Sequence, residues 1–113
     1  MNRKEIDERA RVLARKSEMC SKHACIITHD GSIVSEGYNQ LIEHFHHKFS
    51  LHAEVVALSK VKHMSQRWLK ECKMYVYRIS NTEPDKFRLS KPCLDCERTI
   101  LEAGIGKVYY TCD

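Results

Sequence analysis

Lys73-Met74-Tyr75-Val76-Tyr77-Arg78-Ile79, followed by Pro92-Cys93-Leu94-Asp95-Cys96 and then by Gly104 and Lys107-Val108-Tyr109-Tyr110, is the stretch that decides the fold of this chain. Its first run is almost continuously apolar and rich in aromatic and β-branched residues, which predicts a central strand over residues 73–79 buried on both faces. A polar loop over residues 81–90 carries Pro84, and Ser90 with Pro92 sets a helix start for residues 93–103. Gly104 ends that helix, and residues 107–111 form a last strand. Two strands joined through a helix pair in parallel by a right-handed crossover, so part of the sheet is parallel.

Toward the N-terminus, Ile6, Ala10, Leu13, Ser17 and Cys20 recur at spacings of four and three among Arg and Lys residues, an amphipathic helix over residues 3–20. Residues 23–28 and 32–38 read as two strands joined by the tight turn His29-Asp30-Gly31. Residues 39–50 show no apolar period and are expected to form a loop. A mostly apolar helix then runs over residues 51–63, with Ser50 as its cap and Trp68 anchoring its end against the sheet. Tyr75 and Tyr77 are expected to pack in the core. The order helix, hairpin, helix, strand, helix, strand predicts an α/β fold, a three-layer α/β/α sandwich around a mixed four-stranded sheet.

At 113 residues the chain is expected to be one domain, 1–113, burying roughly two-thirds of its unfolded surface around a core. The composition, 42% apolar and 30% charged, is that of a globular protein, and no run approaches the length of a membrane span. The first residues alternate in charge instead of entering an apolar region, so no secretory signal is expected and the location is read as cytoplasmic. Only Cys93 and Cys96 form a close pair, which in a reducing compartment reads as a metal site, with Cys20, Cys25, Cys72 and Cys112 as small core residues. A net charge of +4, from 19 basic and 15 acidic residues, suits a phosphate-bearing substrate and equally an ordinary solvated surface.

The chemistry lies in two separated segments, His52-Ala53-Glu54 and Pro92-Cys93-Leu94-Asp95-Cys96. Cys93 and Cys96, at i and i+3, share one side of a helix turn and can grip one ion, and a helix N-terminus favours their thiolate form. His52 adds a third donor, leaving a tetrahedral ion one open position for water, the catalytic arrangement. Glu54, two residues from His52, is placed to carry protons. Two other readings stand beside this one: a Cys93–Cys96 redox pair, and a structural zinc site closed by a fourth ligand.

With Gly37-Tyr38-Asn39, His52-Ala53-Glu54-Val55-Val56-Ala57-Leu58, Lys91-Pro92-Cys93-Leu94-Asp95-Cys96 and Ala103-Gly104-Ile105-Gly106-Lys107-Val108-Tyr109-Tyr110, the chain resembles the cytidine deaminase-like superfamily of zinc deaminases, of the cytidine and deoxycytidylate type. The resemblance implies one Zn²⁺ per chain held by His52, Cys93 and Cys96. It implies that a zinc-activated water attacks the amino-bearing ring carbon while Glu54 protonates the ring nitrogen and then the departing ammonia. By the same resemblance Asn39 contacts base or sugar and the Ala53 N–H holds the base carbonyl.

The family usually continues into a fifth strand, whereas this sequence stops at Asp113 after the fourth, and the exposed edge predicts a homo-oligomer. The loop before Pro92 is longer than the short connection of tRNA adenosine deaminases. It carries Lys86, Arg88 and Lys91, for which binding a substrate phosphate and merely solvating the loop are equal readings. Phe45 or His47 is placed to stack on a base, and His44, His46 and His47 with Glu43 read as a surface loop or a second metal site. The expected activity is hydrolytic deamination of a cytosine nucleoside or nucleotide, deoxycytidylate-like, in nucleotide metabolism. The alternatives are a deaminase of polynucleotides, supported by the basic first helix, a guanine deaminase, and a non-catalytic zinc-stabilised subunit.

Overall fold

The computed structural model describes residues 2–44, 47–83 and 85–112, and of residues 44 and 47–49 the backbone alone. The elements are α1 (Arg3–Arg15), β1 (Lys22–His29), β2 (Ser32–Tyr38), β3 (Gln40–His44), β4 (His47–Leu51), α2 (Ala53–Ser59), α3 (Gln66–Lys70), β5 (Cys72–Ile79), α4 (Leu94–Ala103) and β6 (Lys107–Tyr110). The main sheet has the order β2-β1-β5-β6, antiparallel except for the parallel pair β5 and β6, so the mixed four-stranded sheet is present as expected.

Strand alternation sorts the core into two halves. Ala24, Ile26, Tyr77 and Ile79 face α1 and meet Ile6, Ala10, Leu13 and Ala14. Cys25, Ile27, Met74 and Val76 face the other way, onto Ala53, Ala57 and Leu58 of α2 and Ile100 of α4. This is the three-layer sandwich. Tyr77 is fully buried and its hydroxyl donates to Asp7 at 2.5 Å, while Tyr75 is only partly buried and stacks on Tyr109 at 5.2 Å.

Helix α1 starts where Asn2 accepts from the N–H of Glu5 at 3.0 Å, and it ends at Arg15 instead of reaching residue 20. The reason is local. Ser17, buried as its spacing predicts, takes the N–H of Met19 on its hydroxyl at 3.2 Å, a side-chain alternative to the helical ladder. Cys25 and Cys72 are buried as expected, whereas Cys20 and Cys112 are exposed. The β1–β2 turn places Asp30 and Gly31 at φ 51° and 77°, the pair of positive values a type I′ hairpin needs.

Two elements differ from the sequence reading. Residues 39–50, expected as a loop, hold the paired strands β3 and β4, a separate two-stranded ribbon. Leu41, Ile42 and Glu43 are exposed in succession on β3, and residues exposed on both faces of a strand imprint no apolar period on the sequence. The second helix stops at Ser59, and Trp68 belongs to a separate helix, α3, capped by Ser65 and stacked on His29 at 4.8 Å. Residues 80–90 also fold back along β5, through an antiparallel bridge between Ile79 and Phe87 and the bond from Arg88 N–H to the Arg78 carbonyl at 2.8 Å.

Gly37 sets the seat of α2. A Cβ there would stand 2.8 Å from Val56 Cγ1 and 3.0 Å from the Ala53 carbonyl, so only the missing side chain lets the start of α2 lie this close to β2. His52 precedes that start directly.

Candidate active site

His52 is the N-cap of α2 and Cys93 the N-cap of α4, so both halves of the motif open helices, although the cap of α2 is His52 and not Ser50. Helices α2 and α4 pack on the same face of the sheet, and this brings the two segments together. His52 Nδ1 lies 3.0 Å from Cys96 Sγ and 3.8 Å from Cys93 Sγ, and the three donor atoms fall within 4.8 Å of one another. Tetrahedral bonds of about 2.0–2.3 Å to one zinc ion would set nitrogen and sulfur about 3.6 Å apart, between the two observed separations. The donor set and its spacing fit zinc. Among the described residues no fourth His, Cys, Asp or Glu joins the group, which is what an open coordination position requires.

Burial pushes the Cys96 thiol well above its ordinary pKa, and the nearby Glu54 and Cys93 push it further. Beneath them the fully buried Cys25 is raised for the same reasons, burial first, then Glu54 and Cys96.

Glu54, in the first turn of α2, is 5% exposed and lines a cleft of about 250 Å³. Around it stand Ser21, His23, Asn39, Ala53, Lys91 and Cys93. Asn39 is in that wall, but its amide is engaged with β1: Oδ1 accepts from the His23 N–H at 2.9 Å and Nδ2 donates to the Ser21 carbonyl at 2.6 Å. Lys91 is at the cleft, held there by its neighbour. Ser90 Oγ donates to the Val76 carbonyl at 2.7 Å and accepts from the Thr111 N–H at 2.8 Å.

Arg88 is exposed and is not among the residues lining the cleft, and Lys86 is paired with Glu83 at 3.0 Å. Phe45 and His46 lie outside the described residues, and so do the side chains of His44 and His47, and with them the stacking and second-metal readings. His23, which carries no motif, is the lining residue that the sequence did not reveal. Burial, then Arg78 and His52, lower its pKa to about 4, so its imidazole is neutral near pH 7. Strand alternation offered the one available clue, since His23 shares a face with Cys25 and Ile27.

An α/β/α sandwich that offers one His, two Cys and a carboxylate from two helix starts defines the class of zinc-dependent deaminases. The chain belongs to the family described as the cytidine and deoxycytidylate deaminase zinc-binding region, whose model matches residues 2–112. As a member of a deaminase family it falls among hydrolases of C–N bonds.

Solved structures agree in fold. The dCMP deaminase of the cyanophage S-TIM5 in apo form is 29% identical, with a TM-score of 0.60 over 99% of this chain and 86% of that one. The same enzyme in complex with dCMP and dUMP is 25% identical, with a TM-score of 0.66 over 97% and 82%. Guanine deaminase from Bacillus subtilis, at 22% identity, shares the fold with a TM-score of 0.61 over 99% of this chain and 65% of that one. No curated protein matches by sequence. No helix among the described residues is long and apolar enough to cross a membrane.

Proposed function

We propose that the chain is a hydrolytic deaminase of a cytosine nucleoside or nucleotide, deoxycytidylate-like, with one Zn²⁺ per chain held by His52, Cys93 and Cys96. The observation that carries this reading is the convergence of those three donors with buried Glu54 on a single cleft. Zinc, when bound, supplies an electrophilic centre that acidifies water. Glu54 takes one proton of the attacking water at its carboxylate and delivers it to the ring nitrogen, then takes the second proton of that water and delivers it to the leaving amine. The Ala53 N–H orients the base carbonyl. Lys91, at the cleft, faces the phosphate of a nucleotide.

The size of the cleft supports a small substrate. At about 250 Å³ it lies below the roughly 300–1,000 Å³ of clefts that engulf drug-sized ligands, room for a base with its sugar phosphate toward Lys91. That the S-TIM5 enzyme is solved with dCMP and dUMP points the same way.

The basic first helix lends little to a polynucleotide substrate, because its arginines are used internally. Arg9 pairs with Glu36, Arg11 with Glu8 and the Phe87 ring, Arg15 with Asp85, and Arg3 lies over Tyr75 and Tyr109.

The same reading includes association with a second copy, for which α4 offers Leu94 and Leu101 at 81% and 73% exposure. The decisive assay measures ammonia release from cytidine, deoxycytidine, deoxycytidylate, the triphosphate, guanine, single-stranded DNA and RNA, with Glu54→Ala as control. Release from deoxycytidylate and not from polynucleotides is expected. Silence on every substrate would sink the catalytic reading.

A further inference from the structure

β1 carries three residues on the face turned toward α2 and α4. Ile27 and Cys25 are in the core, and His23 comes next along the strand, in the wall of the cleft. The alternation that buries Ile27 therefore brings an imidazole to the space a substrate ring would fill.

The backbone behind that imidazole is unusually well held. Asn39 binds both backbone polar atoms of His23: Oδ1 accepts its backbone N–H at 2.9 Å, and the Asn39 N–H donates to its carbonyl at 3.3 Å. The third bond, from Nδ2 to the Ser21 carbonyl at 2.6 Å, ties down the residue two places earlier. On the other side His23 is paired in register with Arg78 of β5. Such bracing fixes the position of a side chain whose ring, among the described residues, makes no hydrogen bond of its own. A neutral imidazole keeps one donor and one acceptor, and a cleft wall is where they meet a ligand.

Resting on the deaminase reading above, we propose that His23 is a specificity-determining residue, whose ring hydrogen-bonds the polar edge of a six-membered pyrimidine and so sets which base the cleft accepts. A site built to bond a ring edge discriminates against rings that present the wrong pattern, because its own polar atoms are then left unpaired. Ser21 and Ser50 share the wall but have short side chains that carry a hydroxyl only.

The test compares wild type, His23→Leu and His23→Gln, each zinc-loaded, on deoxycytidylate and on guanine and adenine nucleotides. His23→Leu keeps approximate bulk and is expected to lower kcat/KM for the pyrimidine roughly 10- to 100-fold, to narrow its advantage over purines, and to leave zinc content and thermal midpoint unchanged. His23→Gln, which restores a donor and an acceptor, recovers part of the selectivity. Equal losses on every ring, or no loss at all, overturn the proposal. A second measurement separates it from the activity assay: titrating ¹⁵N-histidine-labelled wild type with dUMP and dGMP, following the His23 ring signals. A shift with dUMP and none with dGMP upholds the proposal even for a protein that releases no ammonia. Absence of any shift overturns it.

Discussion

Glu54 stands 5% exposed beside a histidine and two cysteines, and a carboxylate is seldom buried without a task or a partner. Glu54→Gln keeps the shape and removes the proton acceptor. We expect turnover to fall about 10²- to 10⁴-fold while metal content by mass spectrometry and the thermal midpoint hold. Cys96→Ser acts on the other half: zinc content should drop together with activity, since the hydroxyl is a poor substitute for a thiolate. Retention of stoichiometric zinc in that variant would show that the ion sits elsewhere. These residues were legible in the sequence because His52 and Glu54, and likewise Cys93 and Cys96, stand two and three residues apart at a helix start and so mark themselves as pairs. His23 has no such partner nearby. It reaches the cleft through strand alternation and the bracing of Asn39, sixteen residues away, and tertiary pairing of that kind leaves no local mark.

Between the residue and the whole, the placement of α1 and α2 governs the site. Gly37→Ala puts a methyl 2.8 Å from Val56 Cγ1, and α2 must give way. Overpacking of this order costs about 1–3 kcal/mol, and because His52 and Glu54 ride on α2, kcat should fall along with the melting temperature. A variant of wild-type stability and activity would mean that the helix seat is softer than the packing implies. Helix α1 is tied to β2 by the bidentate pair of Arg9 and Glu36, whose Nε–Oε2 bond is 2.8 Å. That bond, more than simple charge attraction, holds the Glu36 carboxyl below its ordinary value of 4.5, against the opposing effect of burial. A carboxyl with a depressed folded pKa contributes stability above its unfolded pKa and loses it as pH falls through the folded value. Arg9→Gln is therefore expected to destabilise by about 0.5 kcal/mol at pH 7, screened because both side chains are partly exposed, and the gap to wild type should close as urea titrations move below pH 4.5. Elements with a buried face were readable in advance: β1 and β2 from their short apolar runs about a turn, β5 from its almost continuous apolar run, and α4 from its start and stop signals. The ribbon of β3 and β4 was not, since Leu41, Ile42 and Glu43 lie exposed on both faces of β3, and neither was the break between α2 and α3, since Val61 and Met64 carry the apolar spacing on past the end of α2.

At the scale of the molecule the layer order followed from a single crossover, the parallel pairing of β5 and β6 around α4, and from the hairpin that must then pair beside β5. What a chain-level pattern does not reveal is which surface meets another molecule, because exposure is decided by the packing of the other elements. Here α4 lays Leu94 and Leu101, one heptad apart, on the outside, and between α4 and β6 runs an apolar groove of about 270 Å³ lined by Pro92, Ile100, Leu101, Ile105, Val108 and Tyr110. Burying Leu94 and Leu101 of both copies would contribute about 1.5–3 kcal/mol per leucine, about 6–12 kcal/mol in all, which only about offsets the roughly 4–15 kcal/mol that association costs. A stable pair must therefore also cover the groove and the outer edge of β6, which is the end strand of the main sheet. Two copies related by a twofold axis satisfy this, since a leucine repeat one heptad long is complementary to itself when run antiparallel. Sedimentation at micromolar concentrations should find a dimer, and Leu101→Arg, at a position that does not line the cleft and is exposed enough to be harmless to folding, should convert it to a monomer with an unchanged far-UV spectrum. A wild type that sediments as a monomer across this range would leave the exposed face of α4 without the partner assigned to it.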